Sequence, residues 1–151
     1  MQFSTLLISA AALIPSALGC LNISVVYTLQ YQSSSSNLFI EYIDNGIRNC
    51  YLNEQSPPVG APAVYSLDPQ VNGVSLNDTY QGCLFGIKSE VELDLVTKKD
   101  KKAHNQMMAY TYINLNNDPT SYGPFELGDR TVTAAKGDKP ETWAWTTSAF
   151  C

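Results

Sequence analysis

Three carboxylates, Glu90, Glu92 and Asp94, alternate along one stretch of the chain. On a strand they share one face, with about 7 Å between successive members. Carboxylates that converge can hold a cation or work as the acid pair of a glycoside hydrolase, because both tasks need several oxygens near one point. An alternating acidic row is also the usual solvent face of a strand and discourages edge-to-edge aggregation. We therefore predict a solvent face, with a cryptic hydrolase as the alternative.

Trp143 and Trp145 form a second group of residues that could bind a ligand. They lie two residues apart, so on a strand they project from the same face. Such a pair can stack on sugar rings, and tryptophan is enriched at interaction hot spots. The competing interpretation is core packing, which is the usual place of large apolar side chains. The pair therefore allows a carbohydrate-binding or cell-wall-binding module as an alternative function. Exposure of the rings would indicate sugar binding, and burial would indicate core packing.

The third group is basic and comprises Lys98, Lys99, Lys101 and Lys102, followed by His104, the single histidine. The sequence has no G-x-S-x-G serine elbow and no H-E-x-x-H metal pair. We interpret His104 as an exposed loop residue and expect a protein that is not an enzyme and needs no cofactor or metal. The lysines predict a solvated turn, with a partner-docking patch as the alternative. Their dibasic pairs predict that a trypsin-like protease cuts there first.

Residues 1–19 carry no charge, are mostly apolar and end in small residues before Cys20, which is typical of a secretory signal peptide. Residues 20–151 then form a single secreted domain, too short for two independent cores. No later run reaches the length of a membrane span, so we expect no membrane anchor. The net charge of -5 disfavours nucleic acid as a partner.

Four cysteines in an oxidising compartment predict two disulfides, for which three connectivities are possible. We favour Cys20 with Cys151 and Cys50 with Cys83, because the ends of a small domain tend to lie close together and would otherwise fray. The sequons at Asn22 and Asn77 predict N-glycosylation, with Asn77, in a polar turn, the more accessible.

We predict that short strands separated by turns position the carboxylates, tryptophans and lysines described above. Ile87, Val91, Leu93 and Leu95 alternate with polar residues, which predicts a central strand that pairs with the second half of the stretch 87–115. Asn45-Gly46 predicts a hairpin turn. Apolar runs also predict short strands at 63–67 and 71–76. The whole pattern predicts an all-β fold, an antiparallel β-sandwich or barrel of about 8–10 short strands.

The main alternative concerns Lys98–Tyr110. Thr97-x-x-Asp100 resembles a capping box, and Ala103, Met107 and Tyr110 have helical spacing. One short helix there would give an α+β fold, an antiparallel sheet with a covering helix.

The opening MQFSTLL, the short mature chain and cysteines at both of its ends resemble the small secreted cysteine-containing proteins of filamentous fungi, including effector-type proteins. The chain lacks the Tyr-x-Cys start of the ribonuclease-like fungal effectors, since Cys20 stands first. The resemblance implies a host- or environment-facing protein and transfers no residues. We therefore expect a monomeric, effector-like, non-enzymatic interaction protein whose partner is an unknown host protein or glycan.

Overall fold

The computed structural model describes residues 20–30, 34–95, 107–113 and 118–151, and for residues 107–113 it describes the backbone alone. Within this part of the chain every regular element is a β-strand, and no helix is long and apolar enough to cross a bilayer. The strands are β1 (Leu21–Gln30), β2 (Ser35–Asp44), β3 (Ile47–Gln55), β4 (Pro62–Leu67), β5 (Gly82–Cys83), β6 (Ile87–Asp94), β7 (Met107–Ile113), β8 (Pro119–Glu126), β9 (Thr131–Thr133) and β10 (Glu141–Ala149).

The strands form two sheets. Sheet A has the order β5-β3-β2-β1-β10-β9 and sheet B the order β4-β6-β7-β8. All neighbouring strands run antiparallel, and buried side chains of both sheets belong to one core cluster. The all-β antiparallel sandwich predicted from the sequence is thus confirmed.

The helical alternative fails where the structure describes it. Residues 107–110 belong to β7 and pair with β6, with Glu90 opposite Ala109. The run of tyrosine, threonine and isoleucine that follows favours a pleated surface and extends the strand. Residues 98–106 lie outside the described part of the chain.

Buried and exposed side chains alternate along the strands, and the buried ones form the core. In β1 the buried residues are Leu21, Ile23, Val25 and Tyr27, and their neighbours in sequence face outward. The corresponding inner residues of β6 are Ile87, Ser89, Val91 and Leu93. Tyr42 of sheet A and Ser89 of sheet B share a buried hydrogen bond of 2.8 Å. This bond fixes the two sheets against each other, because breaking it would bury an unsatisfied polar group.

Two tight turns have clear causes. The hairpin at Asn45-Gly46 is confirmed, with positive φ at both residues, 49° and 79°, as its twist requires. A second turn runs from Leu84 to Ile87, closed by a 3.0 Å hydrogen bond from the Ile87 N–H to the Leu84 carbonyl. Gly86 supplies the positive φ of 82° at its third position. Through this turn the chain passes directly from sheet A to sheet B.

Both favoured disulfides are present, Cys20–Cys151 and Cys50–Cys83. Cys50 and Cys83 are register partners in the β3–β5 ladder. Cys20 and Cys151 flank the pair Leu21 and Ala149, with which the β1–β10 ladder ends. The first and last strands therefore lie side by side in the middle of sheet A.

Candidate functional site

The two tryptophans lie in the core. Trp143 and Trp145 expose 3% and 1% of their surface, and they pair with Tyr27 and Val25 of β1. The indole N–H of Trp143 donates a 2.8 Å hydrogen bond to the buried Glu141 carboxylate. Stacking on a sugar requires an open ring face. The structure therefore corrects the ligand-binding hypothesis for this pair: their shared face is the inner face of sheet A.

The acidic row lies on the outer face of β6. Glu90 and Glu92 are exposed and Asp94 is half-buried. Lys88 Nζ lies 3.4 Å from Glu90 and 3.9 Å from Asp68, so the row has a cation beside it. Exposed pairs of this kind contribute little to stability. Among the described residues, no group of three or more His, Cys, Asp or Glu side chains is arranged to hold a metal ion.

The basic group has no described position. Lys98, Lys99, Lys101, Lys102 and His104 all lie outside the described residues. The docking-patch interpretation and the protease-cleavage prediction therefore stay predictions from the sequence.

Both sequon asparagines are exposed. Asn22 is on the outer face of β1, and Asn77 is in the loop that joins β4 to β5. The Asn77 Oδ1 accepts hydrogen bonds from the N–H groups of Thr79 and Tyr80, at 2.9 and 3.1 Å. This is an Asx turn, which holds the local backbone in a defined shape.

The loop that carries Asn77, residues 68–81, is a compact omega loop with its two ends bonded together. The Cys83 N–H donates to the Asp68 carbonyl at 2.8 Å, and the Gln70 N–H donates to the Cys83 carbonyl at 2.8 Å. Gly82 is required at its end, because a Cβ there would overlap the Asp68 carbonyl oxygen. The sequence predicted a strand at residues 71–76, and that prediction is wrong: these residues belong to the loop.

Side chains of β3 hold the omega loop against the outer face of sheet A. Arg48 Nη1 donates to the Leu76 carbonyl at 3.3 Å, and the Tyr51 hydroxyl donates to Asp78 Oδ1 at 2.5 Å. Burial raises the pKa of the Tyr51 phenol, and the hydrogen bond to Asp78 raises it further. The phenol therefore keeps its proton near neutral pH and remains the donor. Together with Cys50–Cys83, these contacts fix the loop backbone.

Three large apolar side chains are exposed where the omega loop meets the sheet. Val71, Phe85 and Ile47 expose 72%, 63% and 60% of their surface. Val71 follows Gln70, which bonds to Cys83, and Phe85 follows Leu84, whose N–H donates to the Asn49 carbonyl at 2.8 Å. Ile47 lies two residues before Asn49. We call Ile47, Val71 and Phe85 the apolar end.

The sequence contains one signal for the apolar end, which is the position of its residues beside turn glycines. Val71 precedes the Asn72-Gly73 turn and Phe85 precedes Gly86, so both lie at turn positions, where side chains point to solvent. Propensity alone placed Val71 in a strand, because its β-branched side chain suits a pleated surface.

A groove of about 350 Å³ lies on the outer face of sheet A. Its side chains are polar or small except for two isoleucines. The lining residues are Asn22, Ile23, Ser24, Glu41, Ile43, Thr146, Thr147 and Ser148.

A comparison with protein-family models found no match, and no curated protein or solved structure is significantly similar to the chain. The fold and its surface thus define the class by themselves: a β-sandwich domain held by two disulfides, with a braced omega loop and an exposed apolar end.

Proposed function

We propose that this protein is secreted and acts outside the cell as a non-enzymatic interaction protein that binds a partner protein through its apolar end. The observation that carries the proposal is the exposure of Ile47, Val71 and Phe85 at one end of a disulfide-braced ladder. Exposed large apolar side chains that lie beside one ordered ladder are candidates for a protein-binding site. The two disulfides support an extracellular location, where such bonds persist.

The binding free energy that the apolar end can supply is typical of a transient interaction. Burying a Val, Ile or Phe side chain completely contributes about 1.5–3 kcal/mol, so three contribute about 5–9 kcal/mol before the cost of association. Because the Cys50–Cys83 disulfide and the hydrogen bonds of the omega loop already order this backbone, little ordering entropy is lost on binding. We expect a reversible complex rather than an obligate one.

The proposal predicts that polar substitutions at the apolar end reduce partner recovery. Phe85→Ser and Val71→Ser each remove apolar contact area, and we expect each to weaken binding about tenfold, equivalent to about 1.4 kcal/mol. Val64→Ser is the matched control, because Val64 is also 60% exposed but lies on the outer face of sheet B. The measurement is quantitative recovery of host extracellular proteins on the immobilised wild type and variants.

Thermal unfolding of each variant verifies that the sandwich is intact before binding is compared. Equal recovery by all three variants would contradict the assignment of the apolar end. Failure of the wild type to retain any extracellular protein above the level seen with a reduced, unfolded sample would overturn the proposed function itself.

A further inference from the structure

Outward-facing side chains of three neighbouring strands line the groove on sheet A, with β1 in the middle. Asn22 and Ser24 of β1 are flanked by Ile43 and Glu41 of β2 on one side. On the other side their register partners are Ser148 and Thr146 of β10. All six face outward in two rows of three, with Asn22 and Ser24 on the floor and their register partners on β2 and β10 at the two sides. The sequon asparagine therefore lies on the floor of the groove.

From this geometry we infer that the first sugar of an N-linked glycan attached to Asn22 lies in the groove and contacts its side chains. The inference rests on the secretory route that the proposed function assumes. In the attachment step, the Asn22 Nδ2 displaces the pyrophosphate at C1 of a lipid-linked oligosaccharide; Nδ2 loses one proton and the lipid pyrophosphate leaves. The sequon hydroxyl of Ser24 is itself part of the groove.

A hydrogen bond occupies the oxygen of the Asn22 amide. Ser148 Oγ donates a 3.0 Å hydrogen bond to Asn22 Oδ1 from the β10 side. This bond leaves Nδ2, the atom that would carry the glycan, available for attachment. Ser24 and Glu41 line the same groove as Asn22, so they are the neighbours that a sugar on Nδ2 would meet.

The walls match the chemistry of an N-acetylhexosamine. Glu41 offers a carboxylate acceptor to sugar hydroxyls, and its charge is held by Arg48 at 2.6 Å. The hydroxyls of Ser24 and Thr146 can donate or accept, while Ile43 offers apolar contact to the carbon face of the ring. A volume of about 350 Å³ is at the lower end of the range for small-molecule sites. It is large enough for one or two sugar rings.

The test uses Asn77 as an internal control. The full chain is secreted from a eukaryotic host that adds N-glycans, and a peptide N-glycanase is applied to the folded protein while site-resolved mass spectrometry follows release. Because Asn77 lies on an exposed loop and Asn22 lies in the groove, we expect release from Asn22 to be about tenfold slower, equivalent to about 1.4 kcal/mol. After reduction and unfolding, the two rates should become equal.

Two variants of β10 distinguish contact of the glycan with the groove from a general effect of substitution on this strand. Thr146→Val removes a wall hydroxyl and should raise the Asn22 release rate severalfold, whereas Thr142→Val, on the same face but outside the groove, should leave it unchanged. Equal native rates at the two sequons, or a chain without a glycan at Asn22, would overturn the inference. Failure of the proposed function would show instead in the Phe85 and Val71 variants, which keep both sequons.

Discussion

Tyr65 makes the stability of the sandwich depend on pH, because its hydroxyl is buried in the interior. It is on the inner side of β4, opposite Val91, and its hydroxyl is buried with no hydrogen-bond partner among the described residues. Burial raises the pKa of the phenol above its ordinary value of 10.0, and electrostatic interaction with Glu54 and Tyr27 raises it further. Ionisation would place a negative charge on a buried oxygen, which costs free energy.

The sign of the pH effect follows from the raised pKa of Tyr65. The unfolded chain loses this proton at lower pH than the folded protein, so the contribution to stability is complete below pH 10.0 and is lost as the pH rises through the folded value. We expect Tyr65→Phe to lose less stability than the wild type between about pH 9 and about pH 11. At pH 7 the variant should be equally stable or more stable by about 1 kcal/mol, because it removes an unsatisfied hydroxyl.

Urea unfolding at a series of pH values measures the effect of Tyr65→Phe. Tyr80→Phe is the matched control, since Tyr80 is 49% exposed and its hydroxyl lies at the surface. We expect the control to follow the wild-type profile. An alkaline stability loss that is identical in wild type and Tyr65→Phe would contradict the assignment.

At the residue scale the sequence predicted that Trp143 and Trp145 share a face but not which face it is. Thr142, Ala144 and Thr146, which alternate with the two tryptophans, are small or polar, and in the structure they form the outer surface. Alternation defines two faces, and only the opposing sheet decides which one is covered. For β10 the covering side chains come from sheet B, among them Val91 and Leu93, which no local window of sequence contains.

The omega loop is the element on which the apolar end depends. Its stem closes where Gly82 pairs with Tyr51, with Gly82 at a φ of 118°, a value that other residues rarely adopt. The close approach of the Asp68 carbonyl leaves no room for a side chain. The loop conformation therefore depends on this one glycine.

Gly82→Ala should destabilise the protein by about 3 kcal/mol and displace the omega loop, because it combines backbone strain with overlap against a carbonyl group. Gly73→Ala is the control: its φ of 85° is also positive, but a Cβ there has open space around it. We expect a loss of about 1 kcal/mol for that variant. Chemical denaturation checks both values, and equal losses would show that steric overlap at Gly82 has no role.

Among the elements, the hairpin at Asn45-Gly46 was predictable because its signal is contained in two residues. The loop at 71–76 was not, because its conformation comes from contacts with β3, such as Arg48 to the Leu76 carbonyl. Those partners are more than twenty residues away in sequence. Strand propensity describes how a side chain suits a pleated surface and contains no information on such partners.

At the scale of the whole molecule, the two disulfides differ in access. Cys50 and Cys83 are completely buried, whereas Cys20 and Cys151 are exposed. The strand count, the sandwich and the disulfide pairing could be predicted from sequence. The central position of β1 beside β10 could not, because strand order depends on pairings across the whole chain.

Graded reduction should open Cys20–Cys151 first. Thiolate attack requires access to a sulfur atom, so the buried Cys50–Cys83 bond should react only when the sandwich unfolds. Loss of the terminal bond should lower the unfolding free energy by up to about 5 kcal/mol in the loop-entropy estimate, since it spans 131 residues. Alkylation of new thiols followed by mass spectrometry gives the order, and simultaneous opening of both bonds under native conditions would contradict it.

The Cys20–Cys151 bond also closes residues 20–151 into a covalent ring. A ring that is cut once remains one molecule, with its two new ends at the site of the cut. If a protease cuts between Lys98 and Lys102, as the dibasic pairs predict, the two fragments stay joined through the paired ends of β1 and β10. A protein built this way can lose the continuity of its backbone at one site and still keep every strand of both sheets on one covalent framework.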